Sequence, residues 1–247
     1  MRTFGLIGFP LQHSFSKSFF TDKFKKEGIE AEYLNFEIPA INKFQEILDT
    51  QPHLGGLNVT LPYKEQIIPY LDELAESAKK VKAVNVVQIL RHQKGIKTIG
   101  HNSDLYGFYE SIKPLINSKE HTKALVLGTG GASKAIIQGL IDLNIKPQLV
   151  SRKKQAGVLT YKDFSDSILQ EHKLIVNCTP VGTYPNVNDC PQLPYDKITP
   201  AHLLYDLVYN PEVTLFLEKG IKQGAKTING LQMLHLQAKR SWEIWND

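Results

Sequence analysis

The sequence predicts an α/β protein of two domains, each built on a largely parallel sheet. Short apolar runs alternate with stretches of helical periodicity along most of the chain. The alternation restarts after a polar stretch, residues 117–122, which gives two successive series. A glycine-rich turn, Gly128-Thr129-Gly130-Gly131-Ala132-Ser133, follows the first apolar run of the second series and opens a helical pattern.

In order, residues 3–8 read as a buried strand. Residues 16–27 read as a helix with Phe19, Phe20 and Phe24 on one face. A strand at 32–36, a helix at 41–49 and a strand at 55–60, stopped by Pro62, complete the next unit. Residues 71–78 are expected to be helical, and 83–90 and 97–101 to be strands. A helix over 104–113 begins with Asp104, an acidic residue suited to a helix N-terminus. In the second series, strands are predicted at 124–127, 147–150, 174–178 and 203–208, with helices at 132–143, 214–223 and 231–245. The domain boundary is placed at Ser103: residues 1–103 with 229–247 form one domain and 104–228 the other. The C-terminal helix is thus expected to return to the first domain.

The 247 residues are 42% hydrophobic and 22% charged, with a net charge of +4, an ordinary globular balance. The lysines are scattered and form no basic stripe with interleaved aromatics, so nucleic acid is not an expected partner. Cys178 and Cys190 are the only cysteines and have neither disulfide-framework nor metal-site spacing. The N-terminal apolar run is too short for a secretory core, and no stretch reaches the ~18 apolar residues of a membrane span. A cytoplasmic protein is expected, without a metal.

The glycine turn has the context that a dinucleotide pyrophosphate requires. Gly128 permits a tight turn, Gly130 lets backbone approach phosphate, and the following helix N-terminus offers N–H groups and partial positive charge. A cofactor with a free 2′-hydroxyl calls for a carboxylate about 20 residues further on. Here the next strand ends in Ser151-Arg152-Lys153-Lys154. A carboxylate would repel a 2′-phosphate, whereas Arg152 can pair with one and stack on adenine, so NADP(H) is favoured over NAD. This domain is accordingly expected to be Rossmann-like and to bind NADP.

Three loops place polar residues at predicted carboxyl ends of strands: Gly8 to Ser16, Asn58-Val59-Thr60-Leu61-Pro62-Tyr63-Lys64, and Gly100-His101-Asn102-Ser103-Asp104. With Ala83-Val84-Asn85, the glycine turn, Asn177-Cys178-Thr179-Pro180-Val181-Gly182, Asp206-Leu207-Val208-Tyr209-Asn210-Pro211 and Asn229-Gly230-Leu231-Gln232-Met233-Leu234 leading to Gln237, they form an ordered set. In this order and over the whole chain, the sequence resembles the shikimate dehydrogenase family. The resemblance implies reversible NADPH-dependent reduction of 3-dehydroshikimate to shikimate, in aromatic amino-acid biosynthesis. It implies Lys64 and Asp104 as the catalytic pair. Ser14, Ser16, Thr60 and Tyr209 would hold the substrate carboxylate, Asn85, Asp104 and Gln237 the ring hydroxyls, and Asn58 would support the pocket. On the cofactor side it implies residues 128–133 (Gly128, Thr129, Gly130, Gly131, Ala132 and Ser133), then Ser151, Arg152, Lys153, Thr179, Leu207 and Gly230.

Hydride delivery to a ketone leaves negative charge on oxygen, which a positioned cation or acid must neutralise, and lysine is cationic at neutral pH. Lys64 is therefore a suitable proton donor during reduction. His13 and Cys178 are assigned no catalytic role. The chain departs from the family at Lys17, where proline is common, at Thr183, where methionine is usual, and at Gln232, where glycine is common. Two rival readings are an NAD-dependent quinate/shikimate dehydrogenase and a non-catalytic nucleotide-sensing module. The paired serines and the basic strand end argue against the first, and Lys64 with Asp104 against the second. Only small-molecule partners are expected, in a monomer or homodimer.

Overall fold

The computed structural model describes residues 1–11, 15–93 and 95–247. The chain forms two compact units, residues 1–103 with 237–247 and residues 104–236.

The first unit is built on six strands. β1 (Arg2–Gly8) lies between β2 (Ala31–Glu37) and β3 (Leu54–Val59), parallel to both. β4 (Glu73–Leu74) is short, and β5 (Val86–His92) and β6 (Gly95–His101) form an antiparallel hairpin. The order is β2-β1-β3-β5-β6-β4, with β3 and β5 antiparallel and β4 and β6 parallel. The period-2 alternation of β1 divides two cores. Phe4 and Leu6 pack with Phe20 and Phe24 of α1 (Phe15–Glu27) and with Ile244 and Trp245 near the C-terminus. Ile7 faces the other way, toward Phe44, Ile47 and Leu48 of α2 (Phe44–Thr50). Gly56 is required here: a Cβ would stand 2.2 Å from Trp245 Cδ1, and the indole N–H donates to the Val87 carbonyl at 3.1 Å.

Residues 71–78 depart from the expected helix. The Asp72 carboxylate accepts from the backbone N–H and hydroxyl of Thr98 at 2.7 and 2.9 Å. This clamp lays β4 alongside β6, and α3 (Glu76–Val81) forms only afterwards, ending at Lys82 in the left-handed conformation with φ 57°.

The second unit carries an all-parallel sheet. Its strands are β7 (Lys123–Leu127), β8 (Lys146–Ser151), β9 (Leu159–Thr160), β10 (Leu174–Asn177), β11 (Leu203–Asp206) and β12 (Lys226–Ile228), in the order β12-β11-β10-β7-β8-β9. Ala124 and Val126 face one core with Phe108 and Ile112 of α4 (Ser103–Ile112) and Ile136 and Leu140 of α5 (Gly131–Asp142). Leu125 and Leu127 face the other, with Leu169 of α6 (Asp166–Glu171) and Phe216 and Leu217 of α7 (Leu215–Lys222). The strand order reverses between β7 and β10, and such a switch point opens a crevice at the carboxyl ends of the two strands.

The elements β9, α6 and β12 have no counterpart in the sequence reading because each is short. β11 stops two residues before the expected 208, since the Asp206 carboxylate accepts from the Val208 N–H at 3.0 Å and turns the chain. α8 (Leu231–Asn246) gives its first residues to the second unit and joins the first from Gln237, rather than from the expected 229. Met233 packs in the core beside β10 and β11, which keeps that first turn in the second unit. Among the described residues, no helix is long and apolar enough to cross a membrane.

Candidate active site and nucleotide cleft

In the second unit, a cleft of about 330 Å³ opens at the reversal of strand order. It is lined by Gly128, Thr129 and Gly130 after β7, Ser151 and Arg152 after β8, and Thr179, Pro180 and Val181 after β10, with Tyr161 at its side. Gly128 has φ 103°, where a side chain is strained, and a Cβ there would stand 2.8 Å from Thr179 Cγ2. At Gly130 and Gly131 a Cβ would meet nothing within 4 Å, so backbone borders open space. Gly130 caps α5 with no side-chain hydrogen bond, which leaves the helix N-terminus available to an anion. No carboxylate lines the cleft among the described residues, and Arg152 is exposed. The Ser151 hydroxyl accepts from the Lys153 N–H at 3.2 Å, which curls the basic segment after β8. A 2′-phosphorylated dinucleotide fits these groups in charge and in backbone access.

Some of the expected cofactor residues have structural partners of their own. The Ser133 hydroxyl donates to the Gly130 carbonyl at 2.6 Å, inside the turn. The Thr179 hydroxyl donates to Asn177 Oδ1 at 2.6 Å and accepts from the Val181 N–H at 3.3 Å. Gly230 is buried against Leu207: a Cβ would come within 2.1 Å of the Leu207 carbonyl oxygen.

In the first unit, the expected substrate residues Asn58, Asn85 and Gln237 belong to one buried polar network. Asn58 Oδ1 accepts from the Tyr33 hydroxyl at 2.7 Å, and its amide donates to the Asn85 carbonyl at 3.3 Å and to the Ser241 hydroxyl at 3.0 Å. Asn85 grips Ser103 twice, accepting from its N–H at 2.7 Å and donating to its hydroxyl at 3.0 Å. Ser103 Oγ donates to Gln237 Oε1 at 3.4 Å, and Ser241 Oγ donates to the Gln237 carbonyl at 2.9 Å. The Ser16 hydroxyl bonds Tyr33, whose phenol burial pushes well above its ordinary pKa. These bonds tie the ends of β3 and β6 and the C-terminal helix together.

Lys64 follows β3 on a turn fixed at both ends. The Tyr63 ring is buried and its hydroxyl donates to the Ile38 carbonyl at 2.5 Å. The Lys64 carbonyl accepts from the Val84 N–H at 2.7 Å, which sets Lys64 beside the segment leading to Asn85. Thr60 packs at the end of β1, where a Cβ on Gly8 would stand 2.5 Å from its Cγ2. Asp104 is the second residue of α4, and it and the exposed Tyr209 fall in the second unit. Ser14 and His13 lie outside the described residues.

Tyr33, Ser103, Ser241, Tyr161 and the buried Asp206 also belong to these surroundings, and no sequence pattern by itself assigns them a role. Ser103 stood inside a motif already recognised. Ser241 follows Gln237 by one helical turn and so shares its face.

A family model described as the shikimate dehydrogenase substrate binding domain matches residues 6–87. The chain is 33% identical over 264 residues to a shikimate dehydrogenase (NADP(+)) of Caldicellulosiruptor saccharolyticus, covering 100% of this chain and 93% of the relative. Among solved structures, it is similar to a shikimate dehydrogenase from Aquifex aeolicus, with TM-score 0.85, 35% identity and coverage of 100% of this chain and 92% of that one. It is also similar to a shikimate 5-dehydrogenase from Thermus thermophilus in complex with NADP(H) and shikimate, with TM-score 0.81, 28% identity and coverage of 99% and 93%.

Proposed function

The chain belongs to the shikimate dehydrogenase family, and from that premise we propose that it catalyses the reversible NADPH-dependent reduction of 3-dehydroshikimate to shikimate. The observation that carries the cofactor is the cleft where β7 and β10 diverge, with its glycine turn, its helix N-terminus open to an anion, and Arg152 in a lining that has no carboxylate among the described residues. The relatives named for NADP(+) support the same choice.

The first unit supplies most of the substrate contacts. Asn85 and Gln237 would take ring hydroxyls, with Asn58 behind them, while Ser14, Ser16, Thr60 and Tyr209 would hold the carboxylate. Bound NADPH would be held by the Gly128–Ser133 turn and Arg152, and it supplies the hydride. Lys64 then delivers a proton to the oxygen on which negative charge develops and so neutralises it. Asp104 accepts a hydrogen bond from a substrate hydroxyl and thereby orients the ring. The rigid turn at Tyr63 and Val84 limits the rotational freedom lost in placing Lys64. We propose a cytoplasmic enzyme acting on small molecules alone, as a monomer or homodimer.

The mechanistic assignment is tested by Lys64→Ala. Its turnover should fall at least about a hundredfold, within the usual contribution of a positioned acid, while NADPH binding to the second unit persists. Near wild-type turnover would remove Lys64 from the chemistry.

A further inference from the structure

The second unit contains one buried carboxylate that the reaction does not use. Asp206 stands at the end of β11 with no exposed surface. Its Oδ1 accepts from Asn177 Nδ2 at 2.9 Å and from the Val208 N–H at 3.0 Å, and its Oδ2 accepts from the Thr214 hydroxyl at 2.6 Å. Asn177 ends β10, and its Oδ1 accepts from both the N–H and the hydroxyl of Thr179, at 3.0 and 2.6 Å.

The polarity of this chain of bonds runs one way. An ionised carboxylate is acceptor-only, so it requires the NH₂ end of Asn177. The oxygen end of Asn177 must then face Thr179, and both Thr179 donors turn inward. The Thr179 methyl is left against the turn, at the place where a Cβ on Gly128 would collide with it. Thr179 lines the nucleotide cleft, whereas Asp206, Asn177 and Thr214 do not.

We propose that Asp206 is a positioning residue for the cofactor: through Asn177 it fixes Thr179, and with it the wall formed by residues 179–181, against the Gly128 turn. The proposal rests on the assignment of this cleft to NADPH. It also revises the expected role of Thr179, whose hydroxyl is committed to Asn177 and whose contribution to the cleft is its shape. Asp206→Asn removes the requirement that orients Asn177, because an amide can donate as well as accept. The Asn177 side chain can then turn over and release Thr179.

The test is direct titration of NADPH into the purified protein at constant pH, followed by nucleotide fluorescence, together with the KM for 3-dehydroshikimate. Asp206→Asn is expected to raise the NADPH Kd at least fivefold and to leave the 3-dehydroshikimate KM within twofold of wild type. A purely structural role would lower the melting temperature and leave the Kd of the folded fraction unchanged, and that result would overturn the proposal. If Asp206→Asn does not fold, Thr214→Val and Thr214→Ser take its place, since only the second keeps the hydroxyl on Asp206. Weaker NADPH binding in the valine variant alone supports the proposal, and wild-type affinity in both overturns it. Wild-type protein that binds no NADPH would instead remove the assignment of the cleft itself.

Discussion

The Asn58 side-chain amide donates to the Ser241 hydroxyl at 3.0 Å, joining the end of β3 to α8 across 183 residues of sequence. Both residues are buried, and Ser241 also donates to the carbonyl of Gln237, one turn earlier on the same helix. One hydroxyl thus connects two residues proposed for the substrate pocket, Asn58 behind it and Gln237 against the substrate. Ser241→Ala leaves the Asn58 amide with only the Asn85 carbonyl at 3.3 Å. Urea denaturation should show a loss of about 1–2 kcal/mol, and the KM for 3-dehydroshikimate should rise while that for NADPH holds. Unchanged stability and KM would mean that the bond contributes nothing.

That network also shows where the sequence stops being legible. The glycine turn and Arg152 could be read directly because their chemistry is local: a tight turn, a helix N-terminus and a charge at a strand end. Asn58, Asn85 and Gln237 could be named through their motifs. Tyr33 and Ser241 could not, because each acquires meaning from a partner 25 or 183 residues away. The same holds for β4, whose residues were expected to be helical until the Asp72–Thr98 clamp placed them beside β6. The parallel second sheet was legible strand by strand, except at β9 and β12, whose two and three residues carry no periodicity.

Arg152 should decide between cofactors. Removing one charge-assisted pair to a phosphate costs about 1.5–3 kcal/mol, so Arg152→Ala should lower kcat/KM for NADPH about 10- to 100-fold. The value for NADH should change little, since that cofactor has no 2′-phosphate. Equal losses for both would show that Arg152 serves the adenosine in general.

Burial raises the pKa of Asp206 from 3.8 to about 6, against the opposing hydrogen bonds of Thr214, Val208 and Asn177. A folded-state pKa above the unfolded value stabilises the fold below pH ~4, and that stabilisation is lost as pH rises through about 6. The shift corresponds to a contribution on the order of 3 kcal/mol. Chemical denaturation of wild type and Asp206→Asn at pH 4 and pH 7 should show wild type losing stability relative to the variant by up to about this amount. Parallel curves would place the titration elsewhere.

Gly230 has no room for a side chain, with the Leu207 carbonyl oxygen 2.1 Å from the Cβ position. The obstacle is backbone, so relief requires moving the chain between β11 and α8. Gly230→Ala should therefore cost at least about 2 kcal/mol by thermal or urea unfolding, at the upper part of the overpacking range. A neutral substitution would indicate that this junction is loosely packed.

NADPH absorbance followed after addition of 3-dehydroshikimate to the purified protein, with NADH as the parallel assay, reads the reaction and its cofactor together. Rapid, stoichiometric loss of NADPH with formation of shikimate is expected, and turnover with NADH at least tenfold less efficient. No consumption of either nucleotide, or a clear preference for NADH, would contradict the proposed activity.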